Sequence, residues 1–190
     1  IPSSSLPGGE KATMVACLDD SVFALSSSGR VFVSAVESGS CALKFSAVSE
    51  LSGIVWLSGT YKHLFAVSSE GRVFVRGSNS HGQLGLGKET SSVSTFTEIS
   101  SLSGHKIRAA YAGYYHSLFE THEGKILACG YNYYGQLLLS SGPSDENVYS
   151  PTETTIKEGA TFAVAGDTFS TVFIGGDPPP NTPNTPVQAL

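Results

Sequence analysis

One stretch of the sequence comes close to a phosphate-binding loop. Residues 82–89 read Gly-Gln-Leu-Gly-Leu-Gly-Lys-Glu, so a glycine-rich run leads to Lys88. In a P-loop the next position is Ser or Thr, whose hydroxyl binds magnesium, and a helix follows with its N-terminus at the phosphate. Here that position is Glu89, and the following residues are rich in Ser and Thr with no helical pattern. The sequence therefore predicts a turn, with no nucleotide cofactor.

Other reactive side chains lack the spacing that a metal site or a catalytic site needs. His116, His122 and Cys129 lie near one another in the sequence, but the paired Cys or His spacing of zinc sites is missing. The acidic pairs at 19–20 and 145–146 are typical of solvated turns. Among 30 Ser residues no Ser, His and acid arrangement stands out. We predict no enzyme activity, no metal and no cofactor.

A repeated hairpin organises the chain. Residues 22–33, 64–75 and 118–128 each contain an apolar stretch, a polar turn and a second apolar stretch. Each turn ends in a glycine: Gly29, Gly71 and Gly124. Such a glycine supplies the positive φ that closes a β-hairpin, and runs this short and this often broken by glycine do not form helices. We expect antiparallel strands with the three turns at equivalent places.

Further elements flank the hairpins. A glycine precedes them, at Gly59, Gly113 and Gly166, and Cys17 stands in its place in the first copy. A segment Gly-x-Asn-x-x-Gly-Gln-Leu follows at 77–84 and again at 130–137, but residues 35–42 of the first copy have lost it. Fourth strands are expected at three places: 45–48, 96–99 and 153–156. Each should lead into an apolar strand, around Val55, Ala110 or Val164.

Four short strands per unit match one blade of a β-propeller. The repeat resembles the regulator of chromosome condensation family, whose blades carry a Gly-x-x-His-Ser segment, a hairpin and a Gly-x-Asn-x-x-Gly-Gln-Leu-Gly segment. The best copy runs from Gly113 through His116 to Leu137, and the resemblance covers residues 14–175. It implies an all-β chain of about 3.5 blades, each with four antiparallel strands, of a seven-bladed type of propeller.

The recurring motif positions are predicted to be structural. They are Gly59, Gly77, Asn79, Gly82, Gln83, Gly113, His116, Gly130, Asn132, Gly135, Gln136 and Gly166. Glycines suit places where strands converge near the axis or the backbone turns sharply, and the Asn side chains can bond backbone groups of the turn. His116 is expected to do the same across its blade. A residue that recurs in every blade is a poor candidate for a unique active site.

Apolar positions that alternate with polar ones in each copy predict the core. The side chains expected between blades are Phe23, Phe32, Trp56, Phe65, Phe74, Phe119 and Leu127.

Composition restricts the class of partner and the compartment. The 190 residues carry 11 basic and 16 acidic side chains, a net charge of −5, which gives no basic footprint for nucleic acid. Three widely spaced cysteines fit a reducing compartment, so an intracellular location, cytoplasmic or nuclear, is predicted. No apolar run approaches the roughly 18 residues of a membrane span. We therefore expect a protein partner, with no nucleic acid and no membrane.

The leading functional hypothesis is a protein-interaction module, a scaffold within a larger protein. Specificity is expected in the segments 88–94 and 140–150, because these differ most between repeats. The candidate contact residues are Lys88, Glu89, Asp145, Glu146, Asn147 and Tyr149. The alternative, which only the resemblance implies, is guanine nucleotide exchange on a small GTPase of the Ran type.

The sequence divides into three parts: an N-terminal extension (1–13), a partial propeller (14–175) and a Pro-rich linker or tail (176–190). About 3.6 units do not close a ring of seven, and an open arc leaves apolar blade faces bare at its ends. We expect the missing blades elsewhere in a parent protein, in preference to self-association of two copies through the open edge.

Overall fold

Short strands joined by tight turns make up the computed structural model, which describes residues 6–35 and 43–175. Within these ranges the helical elements are two 3₁₀ turns, Pro7–Gly9 and Ser100–Leu102. The strands form three four-stranded antiparallel sheets and one two-stranded sheet, and strand order in every sheet follows the chain. The predicted all-β fold, with blades of four antiparallel strands, is confirmed.

The strands are numbered along the chain. Sheet 1 contains β1 (Ala12–Leu18), β2 (Ser21–Ser26), β3 (Val31–Ala35) and β4 (Ser46–Ala47). Sheet 2 contains β5 (Ile54–Gly59), β6 (His63–Ser68), β7 (Val73–Ser78) and β8 (Ser92–Glu98). Sheet 3 contains β9 (Ile107–Ala112), β10 (His116–Thr121), β11 (Ile126–Gly130) and β12 (Val148–Glu153). Sheet 4 contains β13 (Ala160–Ala165) and β14 (Ser170–Ile174).

The first strand of each sheet contacts the first strand of the next, from β1 to β5, β5 to β9 and β9 to β13. Because successive strands are antiparallel, the loops after the first and third strands leave at one end of each sheet, which we call the motif end. The hairpin turns lie at the opposite end, which we call the turn end. There Gly29, Gly71 and Gly124 have φ values of 79°, 80° and 76°, so the turns fall at equivalent places.

The fourth strands begin earlier than the sequence indicated in sheets 2 and 3. Strand β8 starts at Ser92 where 96–99 was expected, and β12 starts at Val148 where 153–156 was expected. These strands are sheet edges with many exposed Ser and Thr side chains. Their pairing comes from backbone hydrogen bonds to β7 and β11, which leave no apolar signal in the sequence.

The register of the strands corrects one equivalence drawn from the motifs. His63 pairs with Gly77 and His116 pairs with Gly130, so the two histidines occupy the same place in successive sheets. The amide of Thr60 bonds the carbonyl of His63, just as Gly113 bonds His116. Thr60, not Gly59, is therefore the counterpart of Gly113. Equivalent positions of sheets 2 and 3 are 53 residues apart here, and the sequence comparison, which aligned Gly59 with Gly113, was wrong by one residue.

Most of the aromatic side chains predicted for the core are buried between sheets. Phe23, Phe65, Phe119, Leu127 and Trp56 are buried. The Phe65 and Phe119 rings meet edge to face with centroids 5.3 Å apart, which joins sheet 2 to sheet 3. This is the packing that a radial array of sheets requires.

Two aromatic side chains differ from the prediction. Phe74 is only half-buried: it packs against the cluster between sheets 1 and 2, and the Arg72 guanidinium carbon lies 5.3 Å from its ring centre. Phe32 is buried, but it packs against Leu6 and Phe45 on the outward face of sheet 1, not between two sheets. Part of the segment assigned to an N-terminal extension therefore covers this face.

A buried ion pair joins sheets 3 and 4. The carboxylate of Glu120 is fully buried and accepts hydrogen bonds from the Arg108 guanidinium and from the Tyr111 hydroxyl, the latter at 2.7 Å. Arg108 also donates to the carbonyl of Thr161 on β13 at 3.0 Å. Burial, with the nearby Glu120 carboxylate adding to it, raises the pKa of Tyr111, so its hydroxyl stays a donor.

Candidate functional site

The motif end is built around two buried asparagines. Asn79 donates to the carbonyls of Gly87 and Thr90 at 3.0 and 2.7 Å, and its side-chain oxygen accepts the amide of Leu84 at 2.8 Å. Asn132 makes the corresponding bonds to Gly142 and Leu137. The side-chain oxygens of Gln83 and Gln136 accept the amides of His81 and Tyr134, at 2.8 and 3.0 Å. These side chains fix the shape of the loops that follow β7 and β11.

The glycines that pair with the histidines have a steric reason to be glycine. A Cβ on Gly77 would overlap the carbonyl oxygen of Lys62, and a Cβ on Gly130 would overlap that of Tyr115. Gly113 approaches the backbone of sheet 4 in the same way, since a Cβ there would lie 2.7 Å from the carbonyl oxygen of Gly166.

The loop that resembles a phosphate-binding loop has no free row of amides. The amides of Gly82, Gly85 and Gly87 donate to the carbonyls of Asn79, Gly82 and Tyr149, at about 3.0 Å each. The amide of Leu84 is bonded to Asn79. A phosphate needs these donors to point outward together, and here they hold the turn closed.

A histidine of sheet 2 and a histidine of sheet 3 each form a hydrogen bond with a serine of the next sheet. His63 Nε2 lies 2.7 Å from Ser117 Oγ, and His116 Nε2 lies 2.9 Å from Ser170 Oγ. Each bond therefore reaches the side chain of the next sheet, whereas His116 had been expected to bond backbone groups. Burial, with the charge of His116 as a second cause, lowers the pKa of His63 to about 3, and burial lowers that of His116 to about 4.

Above these histidines the loops expose a continuous aromatic surface, which we call the tyrosine surface. It consists of Tyr61, Lys62, His81, Tyr114, Tyr115, Tyr131, Tyr133 and Tyr134. The His81 ring lies 4.4 Å from Tyr115 and 5.4 Å from Tyr131, measured between centroids. Tyr131 in turn stacks on Tyr133 at 6.2 Å, and Tyr133 meets Tyr134 edge to face at 5.0 Å. The surface spans the loops of sheets 2 and 3.

A single cation lies among these rings. Lys62 Nζ is 5.2, 5.6 and 6.0 Å from the ring centres of Tyr61, Tyr114 and Tyr115, within the range of cation–π attraction. Burial, followed by the charge of Lys62, lowers the pKa of His81, so that side chain is neutral at pH 7. The surface therefore offers ring faces, phenol hydroxyls and one ammonium.

Four of the rings are open to solvent. The exposed fractions are 59% for Tyr61, 36% for Tyr114, 51% for Tyr133 and 61% for Tyr134. Large amphipathic rings that remain exposed on a rigid scaffold are what protein interfaces use, because tyrosine buries much area at a small cost in side-chain entropy.

The predicted contact loops border this surface. The side chains of Lys88, Glu89, Asp145 and Glu146 are exposed, whereas Asn147 and Tyr149 are half-buried. The amide of Gly87 donates to the carbonyl of Tyr149 at 3.0 Å, which brings the two loops together. Burial, with Tyr134, Tyr133 and Asp145 as further causes, raises the pKa of Tyr131. Because Asp145 acts on Tyr131, the loop of residues 140–150 lies beside the aromatic rings.

Sequence reasoning missed the tyrosine surface itself. Six of the eight tyrosines of the chain fall in the two motif segments, at positions that vary between copies. The search for recurring residues used the fixed Gly, Asn and Gln positions, so it did not detect the tyrosines at the variable positions between them. The variable positions face solvent because the fixed ones hold the turns.

The structure separates the other reactive residues. His116 lies at the motif end and His122 at the turn end, one strand length apart. Cys129 is buried, and burial raises the pKa of its thiol. Across residues 6–35 and 43–175, no three His, Cys, Asp or Glu side chains come together as a metal site would require. Neither 3₁₀ turn in these ranges is long or apolar enough to cross a membrane as a helix.

Two family models match the middle of the chain. Two models of the regulator of chromosome condensation (RCC1) repeat match residues 70–119 and 107–136. Among curated proteins, the secretion-regulating guanine nucleotide exchange factor of Bos taurus is 42% identical over 69 residues. That match covers 36% of this chain and 15% of the relative, so the similarity is to a small part of a longer protein.

Solved structures show the same fold. Yeast RCC1 (Prp20), solved with Kap60 bound, superposes with a TM-score of 0.73 at 18% identity, over 92% of this chain and 43% of that one. Prp20p from Saccharomyces cerevisiae, described together with its binding to Gsp1p and histones, gives 0.72 at 18%, over 92% and 45%. The chain thus spans less than half of these propellers.

Proposed function

Because residues 70–119 and 107–136 match models of the regulator of chromosome condensation repeat, we propose that the chain is a protein-interaction module that binds its partner through the tyrosine surface. The observation that carries the proposal is the set of exposed rings of Tyr61, Tyr114, Tyr133 and Tyr134. The loop that carries Tyr133 and Tyr134 is held by buried Asn132. Contact is proposed to extend onto the bordering residues Lys88, Glu89, Asp145, Glu146, Asn147 and Tyr149.

A rigid base favours binding at this surface. The loop amides and the Asn side chains are already bonded within the chain, so little backbone order has to be gained when a partner binds. Aromatic rings at the centre of an interface carry much of its binding energy, while bordering charges set orientation and rate of association. The role is one of binding, without making or breaking covalent bonds.

The test measures binding of the full chain to Kap60, with which yeast RCC1 (Prp20) was solved, and to Gsp1p and histones, whose binding was described for Prp20p. Biolayer interferometry compares the unaltered chain with a Tyr133→Ala/Tyr134→Ala variant. We expect the variant to lose at least about tenfold in affinity for the protein that binds, since two central rings are removed.

The matched control is His122→Ala, because His122 is exposed at the turn end, far from the tyrosine surface. This variant should bind like the unaltered chain. Binding that survives the double tyrosine substitution, with melting unchanged, would contradict the proposed surface.

Guanine nucleotide exchange on a Ran-type GTPase is the second candidate function. The similarity to a secretion-regulating guanine nucleotide exchange factor supports it. The loop of residues 131–147, with Asp145 and Glu146 exposed, is the segment that could approach a nucleotide site. Faster release of a fluorescent GDP analogue from Gsp1p in the presence of the chain would establish exchange, and binding with no change in release would leave the interaction module alone.

Self-association and an intracellular location belong to the same proposal. The outward face of sheet 4 exposes 39% of Val164, 57% of Phe169 and 48% of Phe173, which favours contact with a further blade or a second copy.

Cys17 and Cys129 are free thiols, which supports the proposed location in a reducing cytoplasmic or nuclear compartment.

A further inference from the structure

A cleft of about 330 Å³ opens at the motif end between sheets 1 and 2, beside the tyrosine surface. Sheet 1 contributes the turn between β1 and β2, with Asp19 and Ser21. Sheet 2 contributes Tyr61 and Lys62 from one loop and Arg76 near the end of β7. Tyr61 and Lys62 belong to both the cleft and the tyrosine surface, so a partner on that surface reaches the cleft.

Two cations, Lys62 and Arg76, line this cleft. Across residues 6–35 and 43–175, neither Lys62 nor Arg76 makes an ion pair, although Arg30, Arg72, Arg108, Lys125 and Lys157 all do. The charged groups of both side chains lie over aromatic rings. The Arg76 guanidinium carbon lies 5.6 Å from the Phe23 ring centre, and Lys62 Nζ lies 5.2 Å from that of Tyr61. Both side chains are half-buried, so part of their hydration is already lost.

Asp19, the acidic side chain that lines the cleft, acts on a phenol that lines the same cleft. The Asp19 carboxylate, by hydrogen bonding and by its charge, raises the pKa of Tyr61 above its usual value. The residues that line the cleft include two cations and one carboxylate, and Asp20 acts on Tyr61 from just outside the lining. Two cations free of ion pairs, beside exposed aromatic rings, form a site for an anion that a protein partner presents.

We propose that the cleft binds an Asp or Glu carboxylate of the protein partner, held between Lys62 and Arg76 while the partner's neighbouring residues pack on the tyrosine surface. The inference rests on the proposed function, because it assigns partner chemistry to the border of that surface. Arg76 offers a planar pair of donors and Lys62 a point charge, which together suit a carboxylate. The Ser21 hydroxyl supplies a further donor at the cleft wall.

The test uses a probe that needs no knowledge of the partner. An acetylated and amidated Gly-Glu-Glu-Gly peptide is titrated into the isotope-labelled full chain, and amide shifts of Ser21, Gly77 and Ser78 are followed by NMR. The matching Gly-Gln-Gln-Gly peptide and inorganic phosphate are titrated separately. We expect saturable shifts with the Glu peptide that weaken as salt is raised, and none with the Gln peptide.

Substitutions then assign the contact. Arg76→Gln and Lys62→Gln should each weaken binding of the Glu peptide by about tenfold. The matched control is Arg72→Gln: Arg72 also lies over a phenylalanine ring, but it is paired with Glu70 and Glu98. That variant should bind like the unaltered chain.

Several results would overturn the inference. Equal shifts with the Glu and Gln peptides would show that charge is not recognised. Saturation by phosphate at lower concentration than the Glu peptide would assign the cleft to a phosphate group. Loss of partner binding in the Tyr133→Ala/Tyr134→Ala variant, with Lys62→Gln and Arg76→Gln unaffected, would refute the carboxylate site and leave the proposed function intact.

Discussion

The imidazole of His63 donates to the hydroxyl of Ser117 on the next sheet, across 2.7 Å. The direction of this bond follows from the next one, because Ser117 uses its single hydrogen to donate to the carbonyl of Gln83 at 2.7 Å. Nε2 of His63 must then carry the proton, and Nδ1 is buried with no hydrogen-bond partner in the described structure. A second proton on Nδ1 would be a buried donor without a partner, so the folded state favours the neutral ring that donates through Nε2.

Stability should therefore fall in mild acid. The unfolded chain protonates His63 and His116 near pH 6.5, whereas burial holds their native pKa values at about 3 and about 4. The native state binds fewer protons between these values, so the stabilisation is complete above pH 6.5 and is lost as pH falls towards 4 for His116 and towards 3 for His63. Urea unfolding at pH 6.5 to 5 should show a loss of up to about 1.4 kcal/mol per pH unit for each histidine. A His63→Gln/His116→Gln variant that kept the full slope would contradict this.

The ring of Phe65 should contribute strongly to stability. It is completely buried and packs on Phe119, so Phe65→Ala should lower the free energy of unfolding by about 3 to 5 kcal/mol. The matched control is Phe74→Ala, which removes the same atoms from a half-buried place and should cost less than half as much. Urea melts of both variants decide, and equal costs would mean that burial between sheets is not what matters.

Gly77 should tolerate no side chain. Its φ is 127°, and a Cβ would lie 2.7 Å from the Cα of His63 and overlap the Lys62 carbonyl oxygen. Gly77→Ala should cost about 3 kcal/mol or more, from backbone strain and overlap together. Gly87→Ala isolates the strain, because φ there is 88° with no atom within 4 Å of a Cβ, and should cost only about 1 to 2 kcal/mol. Thermal melts that ranked the two in the opposite order would refute the steric explanation.

Removing the Arg108 guanidinium should leave a buried charge uncompensated. Arg108→Met should cost about 3 to 5 kcal/mol, because Glu120 is fully buried and loses its cation. The double variant Arg108→Met/Glu120→Gln buries no charge and should recover part of that loss. Chemical denaturation measures both, and a double variant no more stable than the single one would argue against the ion pair as the cause.

The open face of sheet 4 should promote association. Phe169 occupies the position of His63 and His116 in the preceding sheets. Those histidines bond a serine of the next sheet, whereas the Phe169 ring is exposed on this face. Light scattering of the full chain should show mass rising with concentration, and Phe169→Ser/Phe173→Ser should reduce the rise. Tyr134→Ser, a similar loss of an exposed ring at the motif end, should not. A 19.8 kDa monomer at every concentration would contradict the expectation.

Repetition in the sequence was enough to predict the blades. Three copies of one hairpin, each closed by a glycine, gave the strands β2 and β3, β6 and β7, and β10 and β11, because a turn and an apolar alternation are local properties of the chain. The edge strands β8 and β12 were misplaced, since their polar side chains carry no signal and only backbone pairing defines them. The division into 1–13, 14–175 and 176–190 stays a prediction, and residues 1–5, 36–42 and 176–190 lie outside the described structure.

The sequence by itself determined which residues turn the chain and which fill the space between sheets, because both depend on residue type and short spacing. Only the tertiary structure decided that Tyr61, Tyr114 and Tyr133, from separate loops, form one surface. It also decided that Lys62 and Arg76 share a cleft in which, among the described residues, neither forms an ion pair. The reason is that equivalent loops of successive sheets are 53 residues apart in the chain but lie side by side at the motif end. A local sequence pattern cannot predict which of their variable positions come into contact.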